Sequence, residues 1–73
     1  MSNITYVYAV VYVGPPYGLD ESGEILSLHR SLEHAIRYCF RARSNPRYYG
    51  RNTIVKRKPI GQNIPFESFD WME

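Results

Sequence analysis

The residues best equipped for chemistry are cationic and aromatic together: Arg37, Tyr38, Arg41, Arg47, Tyr48, Tyr49, Arg51, Lys56 and Lys58. Arginine presents a planar fork of donors that grips a phosphate or carboxylate in two places, and tyrosine adds rigid contact area with little rotamer entropy to lose. Arg37 and Arg41 stand four apart, so a helix carries both on one side, with Tyr38 beside the row. That is the chemistry of holding an anionic partner, not of breaking a bond. The expectation is a partner-binding surface made of these residues. The plainer alternative is that the arginines only solvate the outer face of a helix.

Groups for covalent or metal chemistry are sparse. His29 and His34 are the only histidines and Cys39 is the only thiol. On a helix His34 and Cys39 fall about 140° apart around the axis, so they do not share a ligand face. The chain has no Cys-x-x-Cys, no His-Glu-x-x-His and no glycine-rich phosphate loop. Cys39 reads as a small core residue, with no base beside it to make it a nucleophile. The expectation is therefore a non-enzymatic protein with no cofactor and no metal.

Charge is laid out unevenly. All nine Lys and Arg residues fall between Arg30 and Lys58, where Glu33 is the only acid, so nine cations against one carboxylate leave +8 in a chain of net charge +2. Both flanks are acidic, through Asp20, Glu21 and Glu24 on one side and Glu67, Asp70 and Glu73 on the other. Such a layout bears on partners more than on fold.

These side chains must be positioned by few elements, because 73 residues make one domain whose single core is marginal. One cysteine excludes an intrachain disulfide framework and points to a reducing, cytoplasmic setting. The longest apolar run, Tyr6 to Val13, falls far short of the roughly 20 residues a spanning helix needs, and Met1-Ser2-Asn3 does not open a signal peptide. From Met1 to its acidic, aromatic end the chain reads as complete.

Ile4 to Val13 is β-branched and aromatic without Gly, Pro or charge, and predicts a central strand. Its period of two puts Ile4, Tyr6, Tyr8, Val10 and Tyr12 on one face and Val7, Ala9, Val11 and Val13 on the other, with the aliphatic face expected toward the core. Gly14-Pro15-Pro16-Tyr17-Gly18 ends it, and a long loop through Asp20 and Glu21 leads to a second, antiparallel strand over Glu24 to His29. There the alternation puts Leu26 and Leu28 on one face and Ile25, Ser27 and His29 on the other. Ser31 is an N-cap, Glu33 suits the positive helix end, and Leu32, Ala35, Ile36, Cys39 and Phe40 recur at helical spacing. They predict a helix over Leu32 to Arg43, stopped by Ser44-Asn45-Pro46. After a basic loop over Arg47 to Asn52, Thr53 to Lys58 reads as an edge strand.

The order predicts an α+β fold: a small three-stranded, mainly antiparallel sheet with one amphipathic helix on one face, ββαβ over residues 1–59, then an aromatic-acidic C-terminal tail over 60–73. One helix covers one face. The face with Tyr6, Tyr8 and Tyr12 is left for Phe66, Phe69 and Trp71 of the tail, for a ligand, or for a second copy in a homodimer.

A Val/Tyr-rich first strand, Gly23-Glu24-Ile25-Leu26 opening the second, and Ser31-Leu32-Glu33-His34-Ala35-Ile36-Arg37-Tyr38-Cys39 together resemble the short ββαβ accessory proteins encoded by phages and prophages, among them anti-CRISPR proteins. The resemblance spans residues 4–58 and transfers no site residue, since the shared positions are core and cap. It implies a compact protein that inhibits or modulates a host protein or nucleoprotein complex by binding. The other reading of the basic surface is direct nucleic-acid binding, with an affinity that falls steeply with salt. No membrane is expected as a partner.

Overall fold

A computed structural model of the chain describes residues 5–14, 23–46 and 52–71. Its elements run β1 (Tyr6–Tyr12), β2 (Glu24–His29), α1 (Leu32–Arg43), β3 (Thr53–Pro59) and β4 (Glu67–Ser68). They form the small α+β domain that the residue pattern predicts, with an antiparallel sheet ordered β2-β1-β3-β4. Ile4, the loop with Pro15, Pro16, Tyr17, Asp20 and Glu21, and the segment Arg47, Tyr48, Tyr49, Gly50 and Arg51 lie outside the described residues.

β1 is central because it has the longest apolar, β-branched run and pairs on both sides. Its match with β3 continues past the strand ends, where Val13 N–H donates to the Asn52 carbonyl at 2.7 Å and Ile60 N–H to the Thr5 carbonyl at 2.8 Å. α1 begins where Ser31 Oγ accepts the His34 N–H at 3.5 Å, and Glu33 and Arg41/Arg43 complement its two ends. Its buried residues, Ala35, Cys39 and Ala42, are all small, so the helix sits close on the sheet.

The helix takes the face opposite to the expected one. The core joins Val10 and Val55 to Ala35 and Cys39, with Tyr8, Leu26, Leu32, Phe69 and Trp71 packed around it. The tyrosine side of β1 is thus the helix side. The physical reason is size: Val10 and Val55 meet the small helix residues Ala35 and Cys39, while the larger rings of Tyr8, Phe69 and Trp71 pack around them. Ala9 and Val11 are also buried, but on the far face, without a helix above them.

Two further expectations are corrected. β3 is not an edge strand, since the tail returns through a turn at Ile60 and Gly61 and adds β4 to its outer side. The tail keeps the strand alternation there, with Glu67 opposite Arg57 and Ser68 opposite Lys56. The alternation in β2 is broken by a bulge. Val10 pairs with Ser27 and Val11 with Ile25, which leaves Leu26 without a partner position. Leu26 joins the helix-side core, whereas Ile25 and Leu28 stand together on the far face opposite Val11 and Ala9.

Candidate interaction surface

The described members of the predicted site, Arg37, Tyr38, Arg41, Lys56 and Lys58, divide between two sides of the sheet. Arg37, Tyr38 and Arg41 are exposed on the outer side of α1. Arg37 Nη2 donates to Glu33 Oε1 at 2.6 Å one helical turn away, so part of its charge is answered locally. Both partners are well exposed, and such a pair contributes only about 0.3–0.5 kcal/mol. Tyr38 lies against His29, ring centroids 5.5 Å apart, and His29 Nε2 is 2.8 Å from Ser27 Oγ. A shallow hollow of about 310 Å³ between Tyr38, Arg41, Ala42 and Asn45 completes this side.

Lys56 and Lys58 occupy the opposite side. Their register partners are Ala9 and Val7, which places both lysines on the sheet face away from α1. Lys58 Nζ lies 5.5 Å from the centroid of Phe66, and Lys56 lines a groove of about 200 Å³ with Val11, Ile25, Pro65 and Phe66. Ile25 is 51 % and Leu28 58 % exposed at the edge of that face. The helix arginines and the strand lysines therefore do not converge on one patch. Arg47, Tyr48, Tyr49 and Arg51 lie outside the described residues.

Other cations are engaged with the tail aromatics, a role the residue pattern did not assign. Arg57 lies 4.3 Å from the Tyr6 ring centroid and 4.4 Å from that of Phe69. Arg43 lies 5.6 Å from Phe40 and 5.2 Å from Trp71, and its Nε donates to the Thr53 carbonyl at 3.0 Å. Tyr8 and Phe69 meet at 6.0 Å and Phe40 and Trp71 at 6.2 Å, so these contacts form one aromatic-cationic seam along the helix side of the tail. The signal was present in the period of two from Val55 to Arg57, which puts that arginine on the tyrosine side.

Cys39 is fully buried, and its Sγ lies 3.4 Å from the Thr53 carbonyl. Burial pushes the thiol pKa up, with Arg43 partly countering it, so the group stays a neutral thiol at pH 7 and is a poor nucleophile. Among the described residues no group of three or more His, Cys, Asp or Glu side chains is arranged to hold a metal, and no helix is long and apolar enough to cross a membrane.

Fold and surfaces define a class: a small α+β domain with one helix, a four-stranded antiparallel sheet and a C-terminal aromatic cluster. No family model, curated protein or solved structure matches the chain.

Proposed function

We propose that the protein acts by binding rather than by catalysis, engaging a protein partner through the sheet face opposite α1 and so modulating the assembly to which that partner belongs. One observation carries this reading. Ile25 and Leu28 stand about half exposed at the rim of a face that no helix covers among the described residues, next to Ala9 and Val11, which are buried, and to a groove that Pro65 and Phe66 help to line. A lone exposed leucine is ordinary, but two half-exposed aliphatic side chains beside a groove lined by Ile25, Pro65 and Phe66 offer apolar surface for a partner to cover. Burying the rest of two such side chains favours association by about 25 cal/mol per Å² of apolar surface removed from water.

Direct nucleic-acid binding has less support in the same geometry. A stacking platform needs aromatic rings open to bases. Tyr6 and Tyr8 instead pack with Arg57 and Phe69, Tyr38 leans on His29, and the two cationic groups sit on opposite sides of the sheet. A host-complex inhibitor of the phage type remains one form the binding function would take.

The reading is tested by partner capture with wild type, with Ile25→Asp/Leu28→Asp and with Arg37→Glu/Arg41→Glu, each verified as folded by circular dichroism. The expected result is loss of the captured protein with the first pair only. Loss with the helix pair alone moves the site to α1. Anisotropy with single- and double-stranded DNA and RNA at two salt concentrations covers the alternative; tight, salt-sensitive binding there sinks the protein-partner reading.

A further inference from the structure

We infer that the occupant of the far sheet face is an extended, apolar segment of another protein that carries carboxylates, with an aliphatic side chain in the Val11/Ile25/Phe66 groove and its acids on Lys56 and Lys58. This rests on the interaction-protein reading and names the chemistry of the partner.

The far face sets two cations beside half-exposed aliphatic side chains. The paired strand positions on this face are Val7, Ala9 and Val11 of β1, Ile25 and Leu28 of β2, Ile54, Lys56 and Lys58 of β3, and Ser68 of β4. They include two lysines and no carboxylate. Glu24 and Glu67 pair opposite Tyr12 and Arg57, on the helix side. Lys56 stands at the wall of the groove, so a carboxylate one or two residues from a seated aliphatic side chain comes within reach of its ammonium. Among the described residues β2 is one outer strand of the sheet, and it sets Ile25 and Leu28 along the rim of this face, where an extended chain would lie.

The same charges argue against a second copy of this chain. Joining two such faces gathers four lysines, and no carboxylate from the paired strand positions, into one apolar interface, where the like charges oppose association. An acidic partner removes that conflict. The lysines then steer the encounter and fix its orientation, while Ile25, Leu28 and the groove set how long it lasts.

Three fluorescein-labelled twelve-residue peptides test this by anisotropy against the full chain: alternating Leu and Glu, alternating Leu and Lys, and alternating Ser and Glu. In an extended peptide the leucines fall on one side. The Leu-Glu peptide is expected to bind at least tenfold more tightly than either control, with affinity falling as salt is raised. Leu28→Asp should abolish that binding, and Lys56→Glu/Lys58→Glu should transfer the preference to Leu-Lys. Because Lys58 packs on Phe66, a second variant guards against misfolding: Ser68→Glu, exposed and opposite Lys56, should weaken Leu-Glu binding several-fold.

Equal binding of Leu-Glu and Leu-Lys, both lost in Leu28→Asp, overturns the acidic partner while leaving the docking face in place. Equal binding of Ser-Glu and Leu-Glu overturns the apolar part. Binding of Leu-Glu unaffected by Leu28→Asp overturns both the inference and the face on which it rests. No binding by any peptide also overturns the inference, and so does a sedimentation result in which wild type is a dimer that Leu28→Asp dissociates, since the occupant is then a second copy.

Discussion

Arg57 and Phe69 are stacked, with the guanidinium carbon 4.4 Å from the ring centroid. Tyr6 lies at 4.3 Å from the same carbon, so an arginine from the middle of the sheet joins the first strand to the tail. β4 is only two residues long, and its ladder alone is a weak fastening for the C-terminal segment. The aromatic contacts of Arg57 and Arg43 supply the rest. They consume two arginines that the charge count alone would have assigned to a binding surface.

A double-mutant cycle between Arg57→Met and Phe69→Leu tests this fastening. Methionine keeps apolar bulk and removes charge, so the coupling reports the cation–ring contact. We expect about 1 kcal/mol of coupling in urea unfolding, between the exposed and desolvated limits for such pairs. Strictly additive single effects would show that the two side chains are merely neighbours.

Thr53 offers a stabilising substitution. Its side chain is fully buried, and Oγ1 has no hydrogen-bond partner among the described residues, although its carbonyl accepts from Arg43. A buried hydroxyl without a partner carries its desolvation cost uncompensated. Thr53→Val keeps the branched shape and the strand preference, and should raise stability by about 1 kcal/mol. A fall in the urea midpoint would mean that the hydroxyl is satisfied after all.

How far the residues announced this structure differs from element to element. The helix is legible to the residue, because Ser31, the apolar spacing and Asn45-Pro46 all point to Leu32–Arg43. Which face of β1 it would cover was not, since both faces are apolar and the choice depends on the size of the helix residues that meet it. Strict alternation in β2 failed at Leu26, because a bulge leaves no signature in so short a strand. The edge reading of β3 failed because the aromatic tail supplies a neighbour whose pairing arises far along the chain. For the site, the described members of the Arg/Tyr group, Arg37, Tyr38, Arg41, Lys56 and Lys58, do not come together in space. Strand alternation sends Lys56 and Lys58 to one face and Arg57 to the other, and the helix carries Arg37 and Arg41 to its outer side.

Gly23 and Gly61 separate two costs of adding a side chain. Both have positive φ, 82° and 87°. A Cβ on Gly61 meets open space, whereas one on Gly23 runs into the Tyr12 carbonyl oxygen. Gly61→Ala should therefore cost about 1–2 kcal/mol for the left-handed backbone alone. Gly23→Ala should cost more, and since about 1 kcal/mol moves the Tm of a domain this size by roughly 4–8 °C, melting curves will resolve the two. Equal losses would show that the strand pair shifts freely to admit the methyl group.

Cys39 gives a pH dependence with a definite sign. Burial is the main cause of its raised pKa, and the neighbouring Arg43 opposes the rise by favouring the thiolate. The folded thiol therefore keeps its proton to higher pH than the unfolded one, whose pKa is about 8.5. Below that value both states are protonated and Cys39 adds nothing to the pH dependence. Above it the unfolded chain releases the proton first, so stability falls with rising pH by at most about 1.4 kcal/mol per unit from this group. Tyrosines and lysines also titrate in that range, so the informative quantity is the difference between wild type and Cys39→Ala. At pH 7 the variant should be less stable by about 1 kcal/mol for the small void left beside Val10 and Val55. That gap should narrow as the pH rises above about 8.5, because the wild type loses stability the variant cannot lose. Urea midpoints measured across this range decide it: a gap that stays constant would mean that the folded and unfolded thiols titrate alike, and that Arg43 fully offsets the burial of Cys39.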